Sequence, residues 1–188
     1  MSKFEFSIAI VSVVLALATT ELITSWGRLI KKSERLNIDL LYASWSLFVL
    51  VGAVVHWGGL WAYESAPFDS QIELFVILLP ALTIALAVSI FSPDGELVLS
   101  QREQYLRASP RFFPLIGMAY FLAAIADYIV VGSSMNLLYV IAASLLVSAI
   151  GWTQSVRLHV IVLSICWCLA ILTVFGGVKQ WYNANVLT

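Results

Sequence analysis

Charge is scarce in this chain. Asp, Glu, Lys and Arg make up 11% of its 188 residues, against about 25% in an ordinary soluble domain. That shortage excludes a nucleic-acid-binding surface, which needs clustered Lys and Arg. It also excludes a disordered chain, which is kept open by charge and low hydrophobicity. The formal net charge of −1 leaves no basic excess to draw an acidic partner. Cysteine is nearly absent. Cys166 and Cys168 are the only two, both inside an apolar run, so they give neither a disulfide framework nor a metal-ligand spacing. No phosphate loop, zinc motif or GxSxG elbow occurs. What the chain has instead is apolar mass. Hydrophobic residues reach 61% and mean hydropathy is +0.95, the balance of a polytopic membrane protein.

A helical span needs roughly 20 mostly apolar residues to cross a hydrocarbon core of about 30 Å. Six stretches meet that need: Phe6–Leu29, Leu40–Tyr63, Ile72–Phe91, Phe112–Val131, Asn136–Trp152 and Leu158–Val178. The fifth is the shortest. Ser133 to Asn136 form a tight polar break before it, so spans four and five must fold as a close antiparallel hairpin. The first stretch imitates a signal peptide, with Lys3 ahead of it and a small-x-small site at Ala16-Leu17-Ala18. We read it as a retained first transmembrane helix. The expected fold is all-α, a single domain of six transmembrane helices over residues 1–188.

Orientation follows from the basic residues. Arg28, Lys31, Lys32 and Arg35 follow span one. Arg102, Arg107 and Arg111 follow span three, and Arg157 follows span five. Only Lys3 and Lys179 fall on the other side. These loops are therefore expected in the cytoplasm of a bacterium, with both termini outside the inner membrane. Trp26 and Trp152 at inner ends, and Trp57, Trp61 and Trp181 at outer ends, fit an aromatic belt. The longest loop, residues 92–111, opens on a Pro93-Asp94-Gly95 turn. It is expected to carry an interfacial helix from Leu97 to Leu106.

Ionisable residues inside spans are costly, about 2.5–3.5 kcal/mol each at the bilayer centre, and tend to mark function. Glu21, His56, Asp127 and His159 are the four here. At about 1.5 Å per residue, Glu21 lies roughly 6 Å to the inner side of its span centre. His56 and Asp127 lie roughly 7 and 8 Å to the outer side. A shared depth makes a His56–Asp127 hydrogen bond possible if spans two and four are neighbours. Gly52 and Gly59 flank His56 and allow another helix to come close. Thr20, Thr24, Ser25 and Arg28 continue a polar stripe from Glu21 towards the cytoplasm, and Arg28 is placed to reach back to it. Pro80 falls mid-span in helix three, where a missing amide favours a kink. Ser144 with Ser148, and Ala81 with Ala85, are small-xxx-small pairs that mark helix contacts.

Several chemistries fail on placement. His56 and His159 differ by roughly 20 Å along the membrane normal, so one protomer cannot ligate a haem with both. No lysine lies inside a span to form a retinal Schiff base. Ser133 and His159 fall at opposite ends, so they cannot form a dyad. No cofactor and no metal are expected.

Four segments together form a recognisable set: Ser25-Trp26-Gly27-Arg28-Leu29-Ile30, His56-Trp57-Gly58-Gly59-Leu60-Trp61, Phe91-Ser92-Pro93-Asp94 and Arg111-Phe112-Phe113. In these the chain resembles a loose group of small hydrophobic bacterial membrane proteins of unknown function. The likeness implies an inner-membrane location and transfers no activity.

Three functions fit these residues. The first is a proton or small-cation pathway, as a channel or transporter and as a homo-oligomer. Glu21 would be its inner ion-binding group, helped by Thr24, Ser25 and Arg28. His56 and Asp127 would form an outer relay whose titration makes the path pH-dependent. The second is a non-conducting accessory subunit of a larger membrane complex. The third is binding or transport of a lipophilic molecule near Pro80. The partners expected are the lipid bilayer and other copies or subunits, with no nucleic acid.

Overall fold

From Phe4 to Trp26 the chain has neither glycine nor proline, and a helix runs through it as α1 (Lys3–Lys32). A computed structural model describes residues 3–32, 39–64, 71–92, 100–132 and 137–186, with side chains as far as Ile171 except at 32, 131 and 137–139. Asp39 starts α2 (Leu40–Gly59) by accepting the amides of Leu41 and Tyr42 at 2.9 and 3.1 Å, an N-cap that satisfies free donors of the first turn. After Gly58 and Gly59 the helix tightens into one 3-10 turn, Leu60–Tyr63. Then follow α3 (Gln71–Phe91), with Pro80 in its interior, α4 (Gln101–Val131), α5 (Leu137–Ile150) and α6 (Val156–Val186).

Four of these helices are long and apolar enough to cross a membrane: α1, α2 with its 3-10 turn, α3 and α4. Their bounds match the first three expected spans within a few residues. The fifth and sixth are shorter where described, with apolar stretches of 140–150 and 156–171. At about 1.5 Å per residue, the 14 residues of α5 reach about 21 Å. The expected Ser133–Asn136 break lies outside the described residues.

Helix four differs from expectation at its start. It does not begin at Phe112, and residues 101–106 are not a separate interfacial helix. They are the first turns of one 31-residue helix. The rest of the expected interfacial segment, 97–99, lies outside the described residues. The cause is a capping box. Ser100 Oγ accepts the Glu103 amide at 3.3 Å, and Glu103 accepts the Ser100 amide at 2.9 Å. Pro110 and Pro114 each remove a helical donor, yet α4 continues through them. Tyr105, Phe112 and Phe113 anchor this stretch, each almost wholly buried.

The chain divides into two compact units, residues 1–154 and 155–188, the second being essentially α6. In the first, α3 packs between α1 and α4, and α4 pairs with α5. The α4–α5 contact is close enough to need glycine. A Cβ on Gly117 would lie 2.1 Å from Ser148 Oγ and 2.5 Å from the Ser144 carbonyl. Ser144 and Ser148 thus mark a helix contact, as expected. α1 is tied to α2 by Ser25 with the Tyr42 hydroxyl (3.0 Å) and by the Trp57 indole donating to Ser12 (2.8 Å), and to the 3-10 turn by Phe4 against Trp61.

The core of this unit has two parts. At the end holding the start of α2, Tyr42, Trp45, Phe91, Tyr105, Phe112 and Phe113 interlock. Phe91 stacks on Phe112 at 4.1 Å, and Trp45 meets Phe113 edge-on at 4.7 Å. At the other end Phe4, Val11, Leu15, Leu60, Tyr63 and Ile77 form an aliphatic-rich cluster. Large apolar side chains also point outward. Leu17, Phe75 and Leu145 are each at least 65% exposed, a surface suited to lipid rather than water.

Candidate functional site

The α2, α3 and α4 helices meet around a small cavity. Val49, Gly52, Ala53 and His56 line it from α2, Pro80 and Ile84 from α3, and Ile116, Ala119, Tyr120 and Ala123 from α4. Small residues make the space. On α2, a Cβ at Gly52 would come within 3.6 Å of the Tyr120 hydroxyl oxygen. Alanines at 119 and 123 keep the α4 wall low. Pro80 supplies no amide, so the Val76 carbonyl behind it loses its helical donor. The cavity holds about 50 Å³ and is partly open, room for a water or a few atoms of a ligand.

The Tyr120 hydroxyl and the His56 ring break an otherwise apolar lining. His56 Nε2 is buried and has no hydrogen-bond partner among the described residues. Leaving such a group unpaired costs about 1–3 kcal/mol, and an unsatisfied buried group in a folded protein calls for an explanation such as a catalytic role or an unplaced water or ion.

Asp127 lies one turn beyond Ala123 on α4. It does not bond His56. The Tyr63 hydroxyl, on the 3-10 turn, donates to an Asp127 carboxylate oxygen instead. His56 is level with Tyr120 and Ala123, so Asp127 sits about 6 Å farther along the helix. Sequence arithmetic brought these residues to one level, and the structure separates them by a turn. Tyr63 was the residue that reasoning missed. Its position at the end of span two, at the depth of Asp127, was the available signal.

The inner group is arranged differently. Arg28 Nη2 reaches back to Glu21 Oε1 at 2.9 Å, with both side chains about 40% exposed. Ser25 turns inward to Tyr42, while Thr24 faces outward. The polar stripe is therefore split between two faces of α1. None of Glu21, Thr24, Ser25 or Arg28 lines the His56 cavity. His159 lies in the first turn of α6. Among the described residues no three His, Cys, Asp or Glu side chains gather as a metal site.

Comparisons with protein-family models, with curated proteins and with solved structures find no match to this chain.

Proposed function

We propose that this protein provides a pathway for protons or small cations across a membrane, with His56 as the group that takes up and releases the proton. The observation that carries this reading is the buried, unpartnered Nε2 of His56 in a cavity large enough for water. An imidazole is the side chain suited to exchange a proton near neutral pH. Asp127, held by Tyr63 one turn away, is the negative charge that balances the imidazolium. Intramembrane ionisable groups in such pairs are the usual stations of proton relays. Glu21, ion-paired with Arg28 on α1, serves the inner end separately.

The wider arrangement belongs to the same proposal. It comprises six spans, both termini outside a bacterial inner membrane, and assembly as a homo-oligomer. The eight basic residues on one side of the six expected spans support it.

Purified protein in liposomes tests the reading. A pH gradient should collapse faster than in empty liposomes. His56→Phe should abolish the excess flux, and Asp127→Asn should lower it. No flux above empty liposomes, for protons or potassium, would overturn the pathway. That result would favour a non-conducting accessory subunit, a role to which the paired state of Glu21 and Asp127 is also suited. A second reading, binding of a lipophilic molecule, rests on the mostly apolar cavity lining. Saturable binding that is lost in Ala123→Phe, without flux, would select it.

A further inference from the structure

The first turns of α4 carry a feature that the pathway does not use. Gln104, Arg107, Arg111, Leu115, Met118 and Leu122 recur at three- and four-residue spacing and form one stripe along the helix. Tyr105, Phe112, Phe113 and Ile116 take the buried face, so this stripe is the outward one. Arg107 and Arg111 are both exposed, and neither has an ion-pair partner among the described residues. Nearby acids are engaged elsewhere. Glu103 is turned back onto the Ser100 amide and hydroxyl. Asp39 accepts Arg102 at 2.7 Å.

The depth of this pair can be fixed. A Cβ on Gly151, just past α5, would come within 2.7 Å of the Ser109 carbonyl and 3.1 Å of Phe113 Cβ. The next residue, Trp152, is 69% exposed. An exposed tryptophan at a helix end belongs at the membrane–water boundary. That boundary therefore crosses α4 near Ser109–Phe113. Arg111 lies on it and Arg107 one turn outside it. Below it the stripe turns apolar, with Met118 45% exposed.

We infer that this stripe binds an anionic phospholipid. Arg107 and Arg111, one turn apart, clamp its phosphate, and Leu115, Met118 and Leu122 receive an acyl chain. Guanidinium groups suit phosphate geometry. The inference does not depend on the proton pathway.

The test is lipid retention. Full-length protein is taken from vesicles of mixed phosphatidylglycerol and phosphatidylcholine, and bound lipid is counted by native mass spectrometry. Phosphatidylglycerol should be enriched on the wild type. A basic residue in contact with the bound headgroup contributes about fivefold, so Arg107→Gln/Arg111→Gln should cut the preference by about 25-fold. Lys31→Gln, an exposed basic residue on α1, should leave most of it. Equal enrichment in the double variant and the wild type would overturn the site. So would an equal loss in Lys31→Gln, which would mean diffuse surface charge. Displacement of the lipid by inorganic phosphate at matched ionic strength would reassign the arginines to a soluble anion.

Discussion

His56, Asp127 and Glu21 are three costly residues that meet the same membrane problem in different ways. Asp127 is satisfied by the Tyr63 hydroxyl, Glu21 by Arg28, and His56 Nε2 by no group among the described residues. Tyr63→Phe strips Asp127 of its donor. It should destabilise by about 1–3 kcal/mol. The Tyr63→Phe/Asp127→Asn double variant should cost less than the two singles combined. Unfolding in a detergent titration reads both, and strict additivity would mean that the bond carries no energy. Arg28 and Glu21 should differ on substitution. Arg28 lies near the end of α1 and can extend to the boundary, whereas Glu21 lies about 10 Å deeper. Arg28→Gln, which strands the carboxylate, should therefore destabilise more than Glu21→Gln in the same titration. The ionisable residues and the reach of Arg28 were legible in the sequence. The partner of Asp127 was not. Depth arithmetic inherits the error of each span boundary, and two residues of error on each of two helices amount to about 6 Å, the distance separating His56 from the level of Asp127.

Helix ends and crossings obey local rules, some of them readable in advance. Ser100 and Glu103 form a capping box, and that pattern stands in the sequence three residues apart. Reading the charged stretch as a loop hid it, because Arg102, Glu103, Arg107 and Arg111 lower the mean hydropathy without opposing a helix. The Ser144–Ser148 contact was legible as a small-xxx-small pair. Its counterpart Gly117 was not, since nothing in one sequence says which glycine faces which helix. Gly117→Ala places a Cβ against Ser148 and the Ser144 carbonyl. Overpacking of this kind typically costs about 1–3 kcal/mol, which a lowered melting temperature in detergent would reveal. A stability equal to wild type would mean that α4 and α5 move apart freely. Asp39→Ala removes both the α2 cap and the Arg102 contact. It should cost about 1 kcal/mol through the cap, and Asp39→Asn should recover most of that.

At the scale of the molecule, many large apolar side chains among the described residues face outward, and the interior of the first unit is aromatic at one end. Trp45 is fully buried and touches Phe48 and Phe113. Hydropathy gives no sign of this, because a tryptophan in a span reads equally well as lipid-facing. The membrane class followed from composition alone. The order of neighbours, with α3 between α1 and α4, required the structure. The small cavity at Pro80 likewise depends on Gly52, Ala119 and Ala123 arriving together from two helices. Its meaning rests on whether water reaches His56. The most direct measurement is the 15N spectrum of the histidine rings in bilayers across about pH 4–8. The chain has two histidines, and His56→Phe assigns them. The account expects the His56 ring to titrate reversibly with the outside solution, and its midpoint to move in Asp127→Asn. A ring that stays neutral and unchanged throughout would contradict it.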